Sequence, residues 1–133
     1  MKYFLDTSSC VYYLKGTHRS VAEKLVTLHP EDIRIASIVK AELLYGAYRS
    51  VRKDANLVAI EEFLLPFEVV DFGDSETIHY AEIRSTLEAN GGIIGPNDLI
   101  VAATARSNDG ILVTRNERDF SRVPGLKLDN WVG

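Results

Sequence analysis

Short apolar runs alternate with longer helical patterns along this chain, and that alternation limits the folds open to it. Five runs are predicted to be strands: Tyr3 to Leu5, Ile33 to Ala36, Glu68 to Val70, Ile111 to Val113, and Leu126 to Leu128. Six helices are predicted between them: Ser8 to Gly16, Ser20 to Leu28, Ile38 to Ser50, Asp54 to Leu65, Ser75 to Asn90, and Pro96 to Ser107. Strands that alternate with helices join through right-handed crossovers into a parallel sheet. We therefore predict a three-layer α/β fold, with a five-stranded parallel sheet and helices on both faces.

Length and composition set outer limits on the protein. The 133 residues fit a single domain spanning residues 1–133, and 46% of them are hydrophobic, enough for an ordinary core. No apolar run reaches the roughly 18 residues that would span a bilayer, and the N-terminus lacks the pattern of a secretory signal. Cys10 is the single cysteine, so an intrachain disulfide is excluded. We predict a cytoplasmic protein without a membrane partner, in which Cys10 is a buried structural thiol.

Four acidic residues stand where apolar segments begin or end: Asp6, Glu42, Asp98 and Asp119. A buried carboxylate is costly unless it is paired or binds a cation. Ligands of an open parallel sheet bind beyond the carboxyl ends of its strands, so all four side chains are expected at one edge. Several carboxylates in one place are typical of a site for a divalent metal ion. The pattern therefore indicates metal-assisted phosphoryl chemistry.

Asp6 has a structural role that competes with metal binding. It precedes Thr7 and Ser8 at the start of a predicted helix, and Asp, Thr and Ser all make good N-caps. We predict that Thr7 or Ser8 caps the helix and leaves Asp6 free for the metal.

Glu42 is harder to explain by structure alone. The spacing places it on one helical face with Ile38, Ala41 and Tyr45, which predicts a buried glutamate. Such a side chain must be paired, protonated or bound to a metal. An ion pair with another part of the fold is the alternative to a site role.

The remaining two acids open short helical segments, where an acidic residue is favoured in any case. Asp98 heads an apolar helix that should be buried, which argues against an idle, exposed carboxylate. Around Asp119, Asn116 could cap a short helix or serve as a polar ligand or water anchor. Thr114 is predicted to hydrogen-bond a ligating carboxylate. Glu117 competes with Asp119 for the fourth acidic position.

The formal net charge of −4 argues weakly against a nucleic-acid partner, but the four acids account for all of it. The basic residues fall in two clusters: Arg49, Arg52 and Lys53, and Arg115, Arg118 and Arg122. Ion pairs on solvated faces explain the first cluster at least as well as RNA contact does. The second cluster lies beside Asp119, so contact with phosphate is more plausible there.

A phosphoacceptor receiver domain is an alternative from another functional class, since it too has an acidic pocket on a parallel sheet. Its acceptor would follow the third strand, where Asp71 stands. It would also need a second acid beside Asp6 and a lysine after the last strand. Thr7 and Lys127 fit those positions poorly.

Four segments together resemble the motif blocks of PIN domains, and more narrowly those of VapC ribonuclease toxins: Phe4 to Ser8, Ser37 to Gly46, Gly95 to Ala102, and Leu112 to Phe120. The closing Pro124-Gly125-Leu126 and Trp131 extend the resemblance almost to the end of the chain. Each block alone is weak, but four in order at these spacings are specific. In this resemblance Asp6, Glu42, Asp98 and Asp119 occupy the acidic positions, and Thr7, Thr114 and Asn116 support them. Asn116 stands where many relatives carry another acid.

The resemblance implies a parallel five-stranded PIN fold and an endoribonuclease that depends on Mg2+ or Mn2+. It also implies an RNA substrate, with the anticodon loop of initiator tRNA as one candidate. The implied partners are a VapB-like antitoxin and a second copy of the chain. A larger toxin–antitoxin complex would then bind operator DNA through the antitoxin. An inactive PIN module that only binds a partner protein is the remaining alternative.

Overall fold

A parallel sheet of five strands forms the centre of the computed structural model, which describes residues 1–132. The strands are β1 (Tyr3–Leu5), β2 (Ile33–Ala36), β3 (Glu68–Val70), β4 (Ile111–Val113) and β5 (Lys127–Asp129). Their order in the sheet is β3-β2-β1-β4-β5. The predicted strand set is confirmed, with β5 one residue further along than expected. Gly133, the last residue of the predicted domain, lies outside the described residues.

Seven helices surround this sheet: α1 (Thr7–Lys15), α2 (Arg19–Val26), α3 (Ser37–Tyr48), α4 (Lys53–Leu64), α5 (Asp74–Ala89), α6 (Pro96–Ser107) and α7 (Glu117–Phe120). A 3-10 turn over Pro30–Asp32 leads into β2. Gly16 ends α1 in the left-handed conformation, at φ 65°, which glycine adopts without strain. Pro96 is the first residue of α6, where its missing N–H is harmless. The predicted α/β fold is therefore confirmed.

The central strand β1 shows why both faces of the sheet are covered. Successive strand residues point to opposite faces, and Phe4 and Leu5 are each only 1% exposed. Tyr3 pairs with Ile33 of β2 on one side and with Ile111 of β4 on the other. The ends of β1, β2 and β4 consequently lie side by side at one edge.

The same strand order separates Asp71 from Asp6. Asp71 is exposed after β3, which is an edge strand, and β2 lies between β3 and β1. A receiver-type pocket needs the acceptor acid next to the first strand, so this topology does not support that alternative.

The buried face of α3 differs from the predicted one. Val39, Leu43 and Ala47 face the core, whereas Glu42 is half-buried and Tyr45 is 64% exposed. Because α3 carries apolar residues on most of its circumference, the spacing of apolar residues could not identify the buried face. Glu42 therefore lies beside solvent rather than within the core.

Cys10 belongs to the hydrophobic core of the fold. Cys10 is fully buried, and burial together with the charge of Asp6 raises the pKa of its thiol. This fits the predicted structural role. None of the helices within residues 1–132 has the length and apolar character that crossing a bilayer requires.

Candidate active site

Asp6 reaches the site from the end of β1. Its backbone N–H donates to Val113 O of β4 at 3.1 Å, which extends the sheet contact by one residue. The side chain is 8% exposed and its Oδ1 accepts a hydrogen bond from the Ser9 N–H at 2.8 Å. Asp6 is thus the N-cap of α1 itself, and the prediction that Thr7 or Ser8 provides the cap is wrong. The reason is that helical geometry already begins at Thr7. A carboxylate can accept this bond and still offer lone pairs to a cation.

Glu42 is held by side chains from two other helices. The hydroxyl of Thr7 donates to Glu42 Oε1 at 2.5 Å, and Asn97 Nδ2 donates to Oε2 at 3.2 Å. These bonds tie α3 to the starts of α1 and α6. Asn97 was not among the predicted site residues. Its place beside Asp98 in the first turn of α6 was the available signal.

Asp98 lies at the centre of the acidic cluster, in the first turn of α6. Its side chain is half-buried, and burial raises the pKa of its carboxyl. The negative charges of Glu42, Asp6 and Asp119 raise it further. The structure therefore brings Asp6, Glu42 and Asp119 within electrostatic reach of Asp98.

Asp119 is placed by a short hydrogen-bonded turn after β4. Thr114 is buried, and its hydroxyl accepts a bond from the Asn116 N–H at 3.0 Å in place of the predicted bond to a carboxylate. The Asn116 side chain then donates to Asp119 Oδ2 at 3.1 Å, and Arg122 Nη1 lies 3.6 Å from Oδ1. Glu117 is exposed and does not contribute to the pKa shift of Asp98, which favours Asp119 as the fourth acid.

The chemistry of this donor set fits a hard divalent cation. All four side chains offer carboxylate oxygens, the ligands that Mg2+ and Mn2+ prefer. Within residues 1–132, Arg122 is the one cationic side chain at ion-pairing distance from any of the four. Much of the negative charge is therefore left without a positive counterpart. In the described part of the chain no three potential ligands form a compact chelating group. Thr7 and Asn97 hydrogen-bond Glu42, and Asn116 and Arg122 contact Asp119.

A cavity of about 400 Å³ begins beside Thr7 and Glu42 and extends between α1, α3 and α4. Leu14, Gly46 and Ile60 line its apolar part. The acidic edge is thus continuous with an apolar groove.

Arginines and histidines outside the cluster have other contacts. Arg115 is exposed, and its guanidinium lies 3.5 Å from the hydroxyl of Tyr12 on α1. The ring of His18 contacts that of Tyr12 in a tilted arrangement, and His79 accepts a hydrogen bond from Arg106. Arg115 therefore lies beside the middle of α1.

Comparison with known proteins identifies the family to which this chain belongs. The sequence profile of the PIN domain matches residues 3–126. The ribonuclease VapC2 of Rickettsia felis is 42% identical over 98% of both chains. The tRNA(fMet)-specific endonuclease VapC of Salmonella typhimurium is 34% identical, also over 98% of both chains.

Solved structures agree with the sequence comparison. The VapBC2 complex of Rickettsia felis, bound to a DNA fragment from its promoter, contains a chain that superposes with a TM-score of 0.93. That chain is 41% identical, and the match covers 98% of this protein and 99% of that chain. With its fold, its acidic edge and its near full-length similarity, this chain belongs to the VapC family of PIN-domain ribonucleases.

Proposed function

We propose that this protein is a metal-dependent endoribonuclease, the toxin of a type II toxin–antitoxin pair. The observation that carries the proposal is the convergence of three carboxylates, those of Asp6, Glu42 and Asp119, on the half-buried Asp98 at the carboxyl edge of the sheet. Such a concentration of negative charge opposes folding unless a cation offsets it. The family membership given above supports hydrolysis of RNA.

Asp6 and Asp98 are the principal ligands in this proposal, and the cation is Mg2+ or Mn2+. Glu42 and Asp119 complete the site, either directly or through water. A bound divalent cation would lower the pKa of a water molecule and offset charge on the scissile phosphate. In this proposal Glu42, which Thr7 and Asn97 hold by hydrogen bonds, would accept the proton of the attacking water. No covalent enzyme intermediate is needed, so the expected product carries a 5′-phosphate.

RNA and an antitoxin are the proposed partners. The printed name of the Salmonella relative specifies tRNA(fMet), and we propose tRNA, with the initiator anticodon loop as the first candidate, as substrate here. The Rickettsia complex of VapB with VapC supports a VapB-like antitoxin, and its DNA supports operator binding through the antitoxin. The acidic edge would accept a basic inhibitory side chain, with the adjoining apolar groove taking neighbouring residues. A homodimer completes the proposed assembly.

The test is cleavage of total RNA and purified tRNA with Mg2+, with Mn2+ and with EDTA. Discrete metal-dependent fragments are expected from the wild type, and none from the Asp98→Asn variant. Asp119→Asn should lower the rate, whereas Glu117→Gln, which neutralises an exposed acid two positions away, should not. Cleavage that persists at full rate in Asp98→Asn would overturn the proposed mechanism. Metal binding without any cleavage would favour the inactive, partner-binding module.

A further inference from the structure

An exposed strip of tyrosines and cations runs from the end of α3 to the start of α4. Tyr45 is 64% exposed and Tyr48 is 63% exposed. The guanidinium carbon of Arg49 lies 5.5 Å from the ring centroid of Tyr45, and Lys53 Nζ lies 5.5 Å from that of Tyr48. We call these four residues the basic–aromatic strip.

The fold accounts for only part of this strip, because Arg49 is the C-cap of α3, where the helix dipole favours a positive charge. Neither Arg49 nor Lys53 forms an ion pair within residues 1–132, although the protein carries a net charge of −4. Lys53 is the first residue of α4, where the helix dipole disfavours a positive charge. Both tyrosines lie away from the buried face of their helix. Residues that break local rules without a gain for folding are expected at functional surfaces.

The strip begins next to the acidic cluster. Tyr45 follows Glu42 by three residues and Arg49 follows it by seven, so all three lie along one side of α3. Helix geometry places Tyr45 about 4.5 Å and Arg49 about 10.5 Å along the axis from Glu42. A strand of RNA that leaves the site along α3 would therefore meet the strip directly.

We propose that the basic–aromatic strip binds the single-stranded RNA that flanks the scissile bond. This rests on the proposed nuclease function and adds a substrate-binding surface to it. Bases would stack on Tyr45 and Tyr48, and phosphates would contact Arg49 and Lys53, as on other single-strand binding surfaces. The tyrosine rings already orient both cations, which lowers the ordering cost of binding. The acidic cluster repels RNA, so a neighbouring cationic surface is needed to attract it.

The test measures RNA binding over a series of salt concentrations, in the Asp98→Asn background so that the probe stays intact. The probe is a fluorescently labelled single-stranded oligoribonucleotide of roughly 16 nucleotides, the upper end of common site sizes. Removing Arg49 and Lys53 together as alanines should reduce the salt slope of log K by about 1.4, since each phosphate contact contributes about 0.7. Replacing both tyrosines by leucine, which removes two stacking platforms, should weaken binding about thirtyfold or more.

The matched control removes two exposed cations from α2, Arg19 and Lys24, as alanines. Its salt slope should stay unchanged, and circular dichroism should show all variants folded. A strip variant with the control's slope and affinity would overturn the proposal. So would a strip variant that turns a dimer into a monomer in sedimentation without losing RNA affinity, since the strip would then be a protein interface.

The proposed nuclease and the strip can fail separately. Wild-type protein that cleaves RNA, with a strip variant of unchanged affinity, overturns the strip alone. Wild-type protein that does not cleave, with a strip variant of reduced salt slope, overturns the nuclease and supports the strip as an RNA-binding surface.

Discussion

Thr7 fixes the position of Glu42 through a hydrogen bond of 2.5 Å from its hydroxyl to Oε1. Thr7 is the first residue of α1, the helix that Asp6 caps, and Glu42 lies in the second turn of α3. The bond therefore couples the helix after β1 to the helix after β2. Asp6 thus caps the helix whose first residue, Thr7, orients Glu42.

Thr7→Val is expected to reduce metal affinity or turnover by about tenfold or more, because partners of ligating side chains commonly contribute that much. The valine keeps the shape of threonine but cannot donate to Glu42. Thr7→Ser restores the hydroxyl and should recover most of the loss. Calorimetric titration with Mn2+ and steady-state cleavage provide the two readouts. Equal behaviour of the valine and serine variants would mean that the bond has no role in the site.

Asp6 caps α1 and is also a proposed metal ligand. Two substitutions separate these roles. Asp6→Asn keeps an oxygen acceptor for the Ser9 N–H, so stability should be nearly unchanged while cleavage is lost. Asp6→Ala loses the cap as well and should cost about 1 kcal/mol of unfolding free energy. Urea unfolding and RNA cleavage of both variants check this. A stable, active Asp6→Asn protein would contradict the proposed ligand role.

Asp98→Asn is expected to stabilise the metal-free protein at neutral pH while abolishing cleavage. Burial and three neighbouring carboxylates raise the pKa of Asp98, which means that its charged form disfavours the fold once the pH exceeds the unfolded pKa. Removing that charge should raise Tm by roughly 2–4 °C. Added Mg2+ should stabilise the wild type more than the variant. Thermal scans with and without Mg2+ measure both effects, and a lower Tm for metal-free Asp98→Asn would contradict them.

Gly46 offers a further test, in the last turn of α3. A Cβ built there meets no atom within 4 Å, and glycine within a helix costs about 1 kcal/mol relative to alanine. Gly46→Ala should therefore stabilise the isolated protein by up to about 1 kcal/mol. Because Gly46 lines the groove beside Glu42, the same change should weaken a partner that packs into it. Chemical unfolding and antitoxin affinity are the measurements, and destabilisation of the isolated chain would contradict the open space seen there.

The fold could be predicted because the sequence patterns that indicate its strands and helices are local in the chain. Pro96 fixes the start of α6, and the apolar runs of β1, β2 and β4 have no competing helical pattern. The buried face of α3 could not be predicted from the sequence. Apolar residues cover most of the surface of this helix, so their spacing favours no single face. Only the packing of α3 against its neighbours determines that Leu43 is buried and Tyr45 is not.

Some features of the candidate site could likewise be predicted from the sequence, and others could not. The predicted parallel sheet and the positions of Asp6, Asp98 and Asp119 at strand and helix ends were enough to predict that the acids lie at one edge. The hydrogen bonds from Thr7 and Asn97 to Glu42 depend on the spacing of three helices, which no sequence pattern encodes. The cap at Asp6 was missed because aspartate, threonine and serine are nearly equal as caps, and only the backbone angles distinguish them.

Glu76 should make the stability of the fold depend on pH well away from the site. Its Oε1 accepts from the Gly73 N–H at 2.9 Å and its Oε2 accepts from Asn108 Nδ2 at 3.1 Å, which joins the start of α5 to the end of α6. Burial opposes the charged form, but these bonds and one from Ser107 outweigh it and lower the pKa of Glu76. A carboxyl with a lowered pKa in the folded state stabilises the protein fully above its unfolded pKa, about 4.3, and loses that contribution as the pH falls through the folded value.

Glu76→Gln should therefore destabilise the protein near pH 7 and differ less from the wild type as the pH falls below about 4.3. Glu88→Gln is the matched control, because Glu88 is an exposed acid on the same helix that pairs with the exposed Arg84 at the surface. Urea midpoints measured between neutral and acidic pH give the comparison. A difference between wild type and Glu76→Gln that stays constant over this range would show that packing, rather than the charged hydrogen bonds of Glu76, accounts for its contribution.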